Sequence, residues 1–137
     1  MPLLYGEKEL ALDEITFELA QKIEHLAPFG KGNREPVFFT HGIVTEKVEI
    51  IGQSGETLRL TLRTDSGRKL MAIAFKSVVG MTELLRQNYS ENVANGFAAR
   101  SLTNINIPLD IAYNIRVNTF KGNSSLQLVV QDFKNPL

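Results

Sequence analysis

The run Thr57-Leu58-Arg59-Leu60-Thr61-Leu62-Arg63 constrains the fold more than any other part of this chain. Polar and apolar residues alternate without a break. A strand there turns three leucines to one side and the threonines and arginines to the other. The sequence therefore demands a half-buried strand with a basic outer face.

The surrounding segments supply partners for that strand. Val37 to Ile51 is rich in β-branched and aromatic residues, and its length predicts a bend or bulge near Gly42. Gly52 to Gly55 forms the turn into the leucine strand. Asp65-Ser66-Gly67 turns the chain again, into a third strand over Lys69 to Lys76. Met81, Leu84 and Leu85 predict a helix from Val78 to Gln87, and the asparagine-rich stretch Tyr89 to Pro108 reads mostly as loop. Leu109 to Phe120 alternates once more, with Leu109, Ile111, Tyr113, Ile115 and Val117 on one face. Asn114, Arg116, Asn118 and Phe120 occupy the other. Lys121-Gly122-Asn123 is a hairpin signal, and Leu126 to Phe133 completes a fifth strand.

Three strands, a helix and a two-stranded hairpin give the order of an OB-fold, a five-stranded Greek-key barrel. Other small barrels share the strand count, but the helix between the third and fourth strands favours this one. The expected class is mainly β with helices. A further helix precedes the barrel, because Ile15, Leu19, Ile23 and Leu26 form one helical stripe, with Asp13 or Thr16 as its cap and Pro28 as its stop. Pro2 to Leu12 is extended at most and reads as the continuation of something before it. Two parts are expected: residues 1–36 as lead segment, helix and glycine-rich linker, and residues 37–137 as the barrel.

A chain of 137 residues is long enough to bury a core, and it has no cysteine. Disulfides and thiolate metal sites are excluded, which fits a reducing compartment. No apolar run approaches the roughly 18 residues of a membrane span, and no signal-peptide core begins the chain. A cytoplasmic protein without a membrane partner is expected. The net charge is zero, but its distribution is uneven. Residues 1–28 carry six acids and two lysines, leaving −4, and the remainder carries 13 Lys and Arg against nine acids, leaving +4. A mildly basic body behind an acidic lead is compatible with phosphate binding.

Catalysis is hard to build from these residues. His25 sits in the last helical turn, where a cation is favourable. His41 lies in the first strand and suits a hydrogen-bonded sheet histidine better than a metal ligand. No catalytic or metal-ligating residue is assigned. Gly30-Lys31-Gly32-Asn33 raises the question of a phosphate cradle, yet a P-loop stands between a strand and a helix and ends in Lys followed by Ser or Thr. Here the order is helix, loop, strand. A hinge or a nucleic-acid contact remain as readings.

The segment L-A-P-F-G-K-G-N-R-E-P-V-F resembles the E-P-F-G-x-G-N-P-E-P-x-F lead into the OB domain of RecJ-type single-stranded-DNA-specific exonucleases. Further blocks follow in order. Gly55 to Leu62 resembles the family's G-x-x-H-L-K-L-x-L strand, and Met71-Ala72-Ile73-Ala74-Phe75 its x-A-I-A-F strand. Leu109 to Asn118 resembles D-x-A-Y-x-L-x-x-N, and Phe120 to Leu128 resembles F-x-G-x-x-S-L-Q-L. Arg34 stands where the family usually has proline and Thr57 where it has histidine. The Ser77–Pro108 segment is longer than expected. The D-H-H motif of the catalytic half is missing, so the chain resembles one piece of a larger exonuclease.

The resemblance implies a single-stranded-DNA-binding domain of a 5′ to 3′ exonuclease used in DNA repair and recombination. No cofactor is expected in this chain. A divalent metal, Mn or Mg, is implied for catalytic domains that lie elsewhere in the parent. Those domains and single-strand-binding protein are the other implied partners. The expected contacts are Lys31 and Arg34 in the glycine loop, Arg59, Arg63 and Arg116 on strand faces, and Lys121 at the hairpin tip. Phe120, beside Asn118 and Arg116, is the first candidate for base stacking, and Phe75 the second. Each has a plainer role open to it: solvated or ion-paired arginines, Phe120 covering a barrel end, Phe29 packing on the helix. The rival functional reading is a docking or bracing module that positions the catalytic domains or holds a protein partner.

Overall fold

A computed structural model describes residues 8–136; residues 2–7 of the expected extended lead lie outside that range. The elements are β1 (Lys8–Glu9), a 3-10 turn (Leu12–Glu14), α1 (Phe17–Glu24), β2 (Phe38–Ile51), β3 (Thr57–Arg63), β4 (Lys69–Ala74), α2 (Val78–Asn88), α3 (Glu91–Ala98), β5 (Ile107–Phe120) and β6 (Asn123–Lys134).

β3 behaves as its alternation requires. Leu58, Leu60 and Leu62 are fully buried, whereas Arg59 and Arg63 are exposed. Removing three leucines from water contributes roughly 5–9 kcal/mol before the entropy of ordering is subtracted. β3 pairs antiparallel with β2 and β4, β4 pairs parallel with β6, and β6 pairs antiparallel with β5. β5 returns to β2 and closes the barrel. The closed order β2-β3-β4-β6-β5 is that of the OB-fold, and β1 adds a short parallel edge beside Phe38 and Phe39.

β2 serves two neighbours because it bends. Its register shifts between Thr40 and Ile43 against β5 and between Thr45 and Lys47 against β3. At the first shift the Gly42 N–H donates to Asp110 Oδ1 at 2.7 Å. The bulge expected near Gly42 is present.

The lead segment belongs to the same core. Leu10, Leu12, Ile15, Ala20 and Ile23 pack with the barrel residues, so the core runs across residue 36. Thr16, not Asp13, caps α1, its hydroxyl accepting from the Leu19 N–H at 3.1 Å. Asp13 instead takes the Ser66 N–H at 3.0 Å and its hydroxyl at 2.6 Å, strapping the lead to the β3–β4 turn. Leu26 departs from its expected stripe. The helix stops at Glu24, and Leu26 is 55% exposed beyond the last turn.

The stretch expected to be mostly loop contains α3. Ser90 caps it by accepting from the Val93 N–H at 3.1 Å, and Ala94 and Phe97 are buried. Gly96 lets the chain fold back tightly, since a Cβ there would lie 3.3 Å from that of Leu102. Asn114, expected on the open face of β5, is buried because the Pro36 segment covers it. Its amide donates to the Pro36 carbonyl at 2.9 Å.

Candidate nucleic-acid interface

The outward rows of β3 and β4 form one surface. Arg59 lies opposite Ile73, Thr61 opposite Met71 and Arg63 opposite Lys69. β6 extends the band with Gln127 beside Met71, and Gln127 in turn lies opposite Arg116 on β5. Met71 is 37% and Phe75 62% exposed. The sequence reading singles out Arg59, Arg63 and Phe75 here but assigns no role to Met71 and Ile73. The signal was present in the alternation of Lys69, Met71, Ile73 and Phe75, which a nearly continuous apolar run obscures.

A second group sits on the β5–β6 hairpin. β4 pairs with β6 only over Gln127 to Val129, so Asn118 to Ser125 project as a two-stranded ribbon past the start of β4. Phe120 is 68% exposed near its tip, with Lys121 Nζ 5.4 Å from the ring centroid. An aromatic face with a cation beside it is what base stacking and backbone neutralisation require together. Phe120 covers no barrel end. Asn118 is exposed on the same side of the ribbon.

The glycine loop is a closed turn. The Gly30 N–H donates to the Asn33 carbonyl at 2.8 Å, and the Asn33 N–H returns to the Gly30 carbonyl at 3.0 Å. Gly32 takes φ +88° at the third position, the conformation that a type II turn reserves for glycine. The Asn33 side-chain amide then donates to the Leu26 carbonyl at 2.7 Å and the Pro28 carbonyl at 2.8 Å, tying the turn to the end of the helical segment. With the Gly30 and Asn33 amides spent on each other, neither is free to cradle a phosphate, and the loop is a closed turn. Lys31 and Arg34 remain exposed on it.

Ion pairs divide the expected cations. Arg59 holds Glu49 in two contacts, Nε to Oε1 at 3.2 Å and Nη2 to Oε2 at 3.4 Å. Arg116 holds Glu35 likewise, at 3.1 and 2.8 Å. Arg63 and Lys69 share Glu46, each at 3.9 Å. The Arg59 hydrogen bond keeps the Glu49 carboxyl below its ordinary range, and the Glu35 hydrogen bond pushes Arg116 further above its own. Among the described residues, Lys31, Arg34 and Lys121 have no carboxylate partner.

His41 stands edge-on to Phe39, with ring centroids 5.2 Å apart. Its Nδ1 lies 3.4 Å from Asp110 Oδ2 and its Nε2 4.0 Å from Glu9 Oε2. These contacts orient a sheet histidine. Among the described residues, no group of three or more His, Cys, Asp or Glu could hold a metal ion.

Residues 7–132 match the RecJ OB domain family. The chain belongs to that family. It is 28% identical over 136 residues to the single-stranded-DNA-specific exonuclease RecJ of Haemophilus influenzae, covering 98% of this chain and 20% of that protein. Among solved structures it is similar to RecJ of Thermus thermophilus in complex with Mg2+. There the TM-score is 0.51 at 18% identity, over 88% of this chain and 15% of the other. The Mn2+ complex of the same protein gives the same TM-score. The RecJ OB domain thus spans a fifth or less of these relatives, and the likeness to the solved structures speaks for the fold. No helix among the described residues is long and apolar enough to cross a membrane.

Proposed function

We propose that this RecJ OB domain binds single-stranded DNA and guides it toward catalytic domains of a parent exonuclease. The observation that carries the reading is the projecting ribbon, which carries Phe120, Lys121 and Asn118 into solvent beyond the Arg63–Lys69 end of the outward β3–β4 surface. Bases stack on the exposed ring, and Lys31, Arg34 and Lys121 meet phosphates. Nothing in the arrangement calls for base-specific readout, because stacking tolerates any base. Hydrolysis, its 5′ to 3′ direction and the divalent metal, Mn or Mg, belong in this reading to the rest of the parent. So do its cytoplasmic place and its role in repair and recombination.

Fluorescence anisotropy with a labelled single-stranded oligonucleotide, over a range of salt and against duplex, tests the proposal. Selective, salt-sensitive binding is expected. Phe120→Ala should weaken it by about 1–3 kcal/mol if one base stacks there. Replacing Lys31 and Arg34 together by alanine should flatten the log–log salt slope by about 1.4. The bracing alternative draws support from the paired arginines and from exposed Val79 on α2. Absence of single-strand binding at tens of micromolar, or binding insensitive to salt and to Phe120→Ala, would favour it.

A further inference from the structure

The strand arginines expected to meet phosphate are already occupied, and by the protein's own carboxylates. Glu49 reaches across from β2 to Arg59, and Glu35 reaches from the end of the glycine loop to Arg116. Both contacts are two-pronged, the geometry in which a guanidinium also takes a phosphate. Glu46 serves Arg63 and Lys69 in a looser way, at 3.9 Å to each, and its Oε1 is shielded from solvent without a hydrogen-bond partner. The arginines that Glu35 and Glu49 hold come from other elements, so these pairs are a property of the fold; Glu49 also lies 3.9 Å from Lys47 on its own strand.

We propose that Glu35 and Glu49 act as intramolecular competitors for phosphate, each holding its arginine until a passing strand displaces it. This inference rests on the single-strand-binding reading and specifies how that surface is tuned. Each exchange breaks one ion pair and forms another, so the net gain per phosphate is small. The arginine sides of these pairs are about half exposed, though the carboxylates are more shielded, so opening them costs less than opening a buried pair. A surface built this way neutralises fewer phosphates than its count of cations suggests. It suits a strand that must move across it, because no single contact holds the backbone firmly. Lys31, Arg34 and Lys121 supply capture without exchange.

The test uses the full 137-residue chain and a labelled oligothymidylate, with affinity measured over a range of salt. Without removing bulk, Glu35→Gln frees Arg116, and Glu49→Gln frees Arg59 together with the looser Lys47. Each is expected to tighten binding about 3- to 10-fold and to steepen the log–log salt slope by about 0.7. Glu83→Gln is the control. It removes the same charge and a partner of Arg86, on α2 outside the surface, and should change neither quantity. In a background with both Arg59→Ala and Lys47→Ala, Glu49→Gln should lose its effect. Unchanged or weaker binding by both variants, with the unmodified chain binding normally, would overturn the inference and make the carboxylates structural braces. Equal tightening by Glu83→Gln would overturn it in favour of bulk charge. If neither the chain nor any variant binds, the single-strand reading itself fails and the inference falls with it.

Discussion

Asn33→Ala separates the two roles that a glycine-rich basic loop can have. In the structure the Asn33 amide group makes two hydrogen bonds, to the Leu26 and Pro28 carbonyls, at 2.7 and 2.8 Å. Alanine removes both and leaves two carbonyls that water can reach, since Leu26 and Pro28 are exposed. A net hydrogen bond contributes about 0.5–1.5 kcal/mol, and solvent access places these toward the lower end, so the expected loss is about 1–2 kcal/mol. For a domain of this size that is a fall in Tm of about 3–8 °C. Urea unfolding followed by circular dichroism should show the midpoint falling with little change in slope. Asn33→Asp should be worse than alanine, because a carboxylate would face two carbonyl oxygens and donate to neither. Single-strand affinity measured well below the transition should change little. If stability is unaffected while DNA binding drops, Asn33 is a ligand contact, and the structural role of its two hydrogen bonds is refuted.

Two further perturbations test other parts of the structure. Burial pushes the Tyr113 hydroxyl from 10.0 up to about 12, while Thr40 Oγ1 at 2.8 Å pulls the other way. The folded form therefore favours the neutral phenol, and its contribution to stability is complete below pH 10.0 and is lost as pH rises toward about 12. Tyr113→Phe should remove that alkaline loss, read by unfolding in urea across the range, at a cost near neutrality of about 1 kcal/mol for the hydrogen bond. At the opposite end, hydrogen bonds from the Ser66 and Thr64 side chains hold the Asp13 carboxyl below its ordinary range. Its contribution is present above the unfolded carboxylate value and lost as pH falls through the lowered one. Asp13→Asn should destabilise the domain at neutral pH, and the difference from the unmodified chain should close in acid; a constant difference at all pH values would refute the ionised strap.

What could be read in the sequence was whatever repeats at short range. The period-two leucines at 58, 60 and 62 marked β3 because one strand carries the whole signal, and the order of elements then gave the barrel. α3 was missed because its stripe is only Val93, Ala94 and Phe97, diluted by Asn92, Asn95 and Gly96, all poor helix formers. Its stability comes from packing on α2 and the Ser90 cap, which composition does not weigh. Of the two caps the sequence offers, Thr16 takes the role, because Asp13 has its partner 53 residues away at Ser66. The candidate contacts divide the same way. Exposed Phe120 follows from local alternation, whereas the carboxylates on Arg59 and Arg116 come from residues 10 and 81 positions distant.

Those distant carboxylates change how the zero net charge should be read. A sum over the chain counts Glu35 and Glu49 as cancelling any two cations, but the fold assigns them to Arg116 and Arg59 in particular. Of the cations expected to meet phosphate, those left without a carboxylate are Lys31 and Arg34 on the turn and Lys121 on the ribbon, all exposed and none on the barrel wall. A phosphate can approach those three without displacing anything. Reaching Arg59 or Arg116 requires exchange with a carboxylate that is held in two contacts. On the proposed reading, the order of engagement is loop and ribbon first, barrel wall second. Removing the first set should abolish capture, whereas neutralising the acids should deepen it. An uncharged average conceals a surface whose positive charge is graded from freely available to held in reserve.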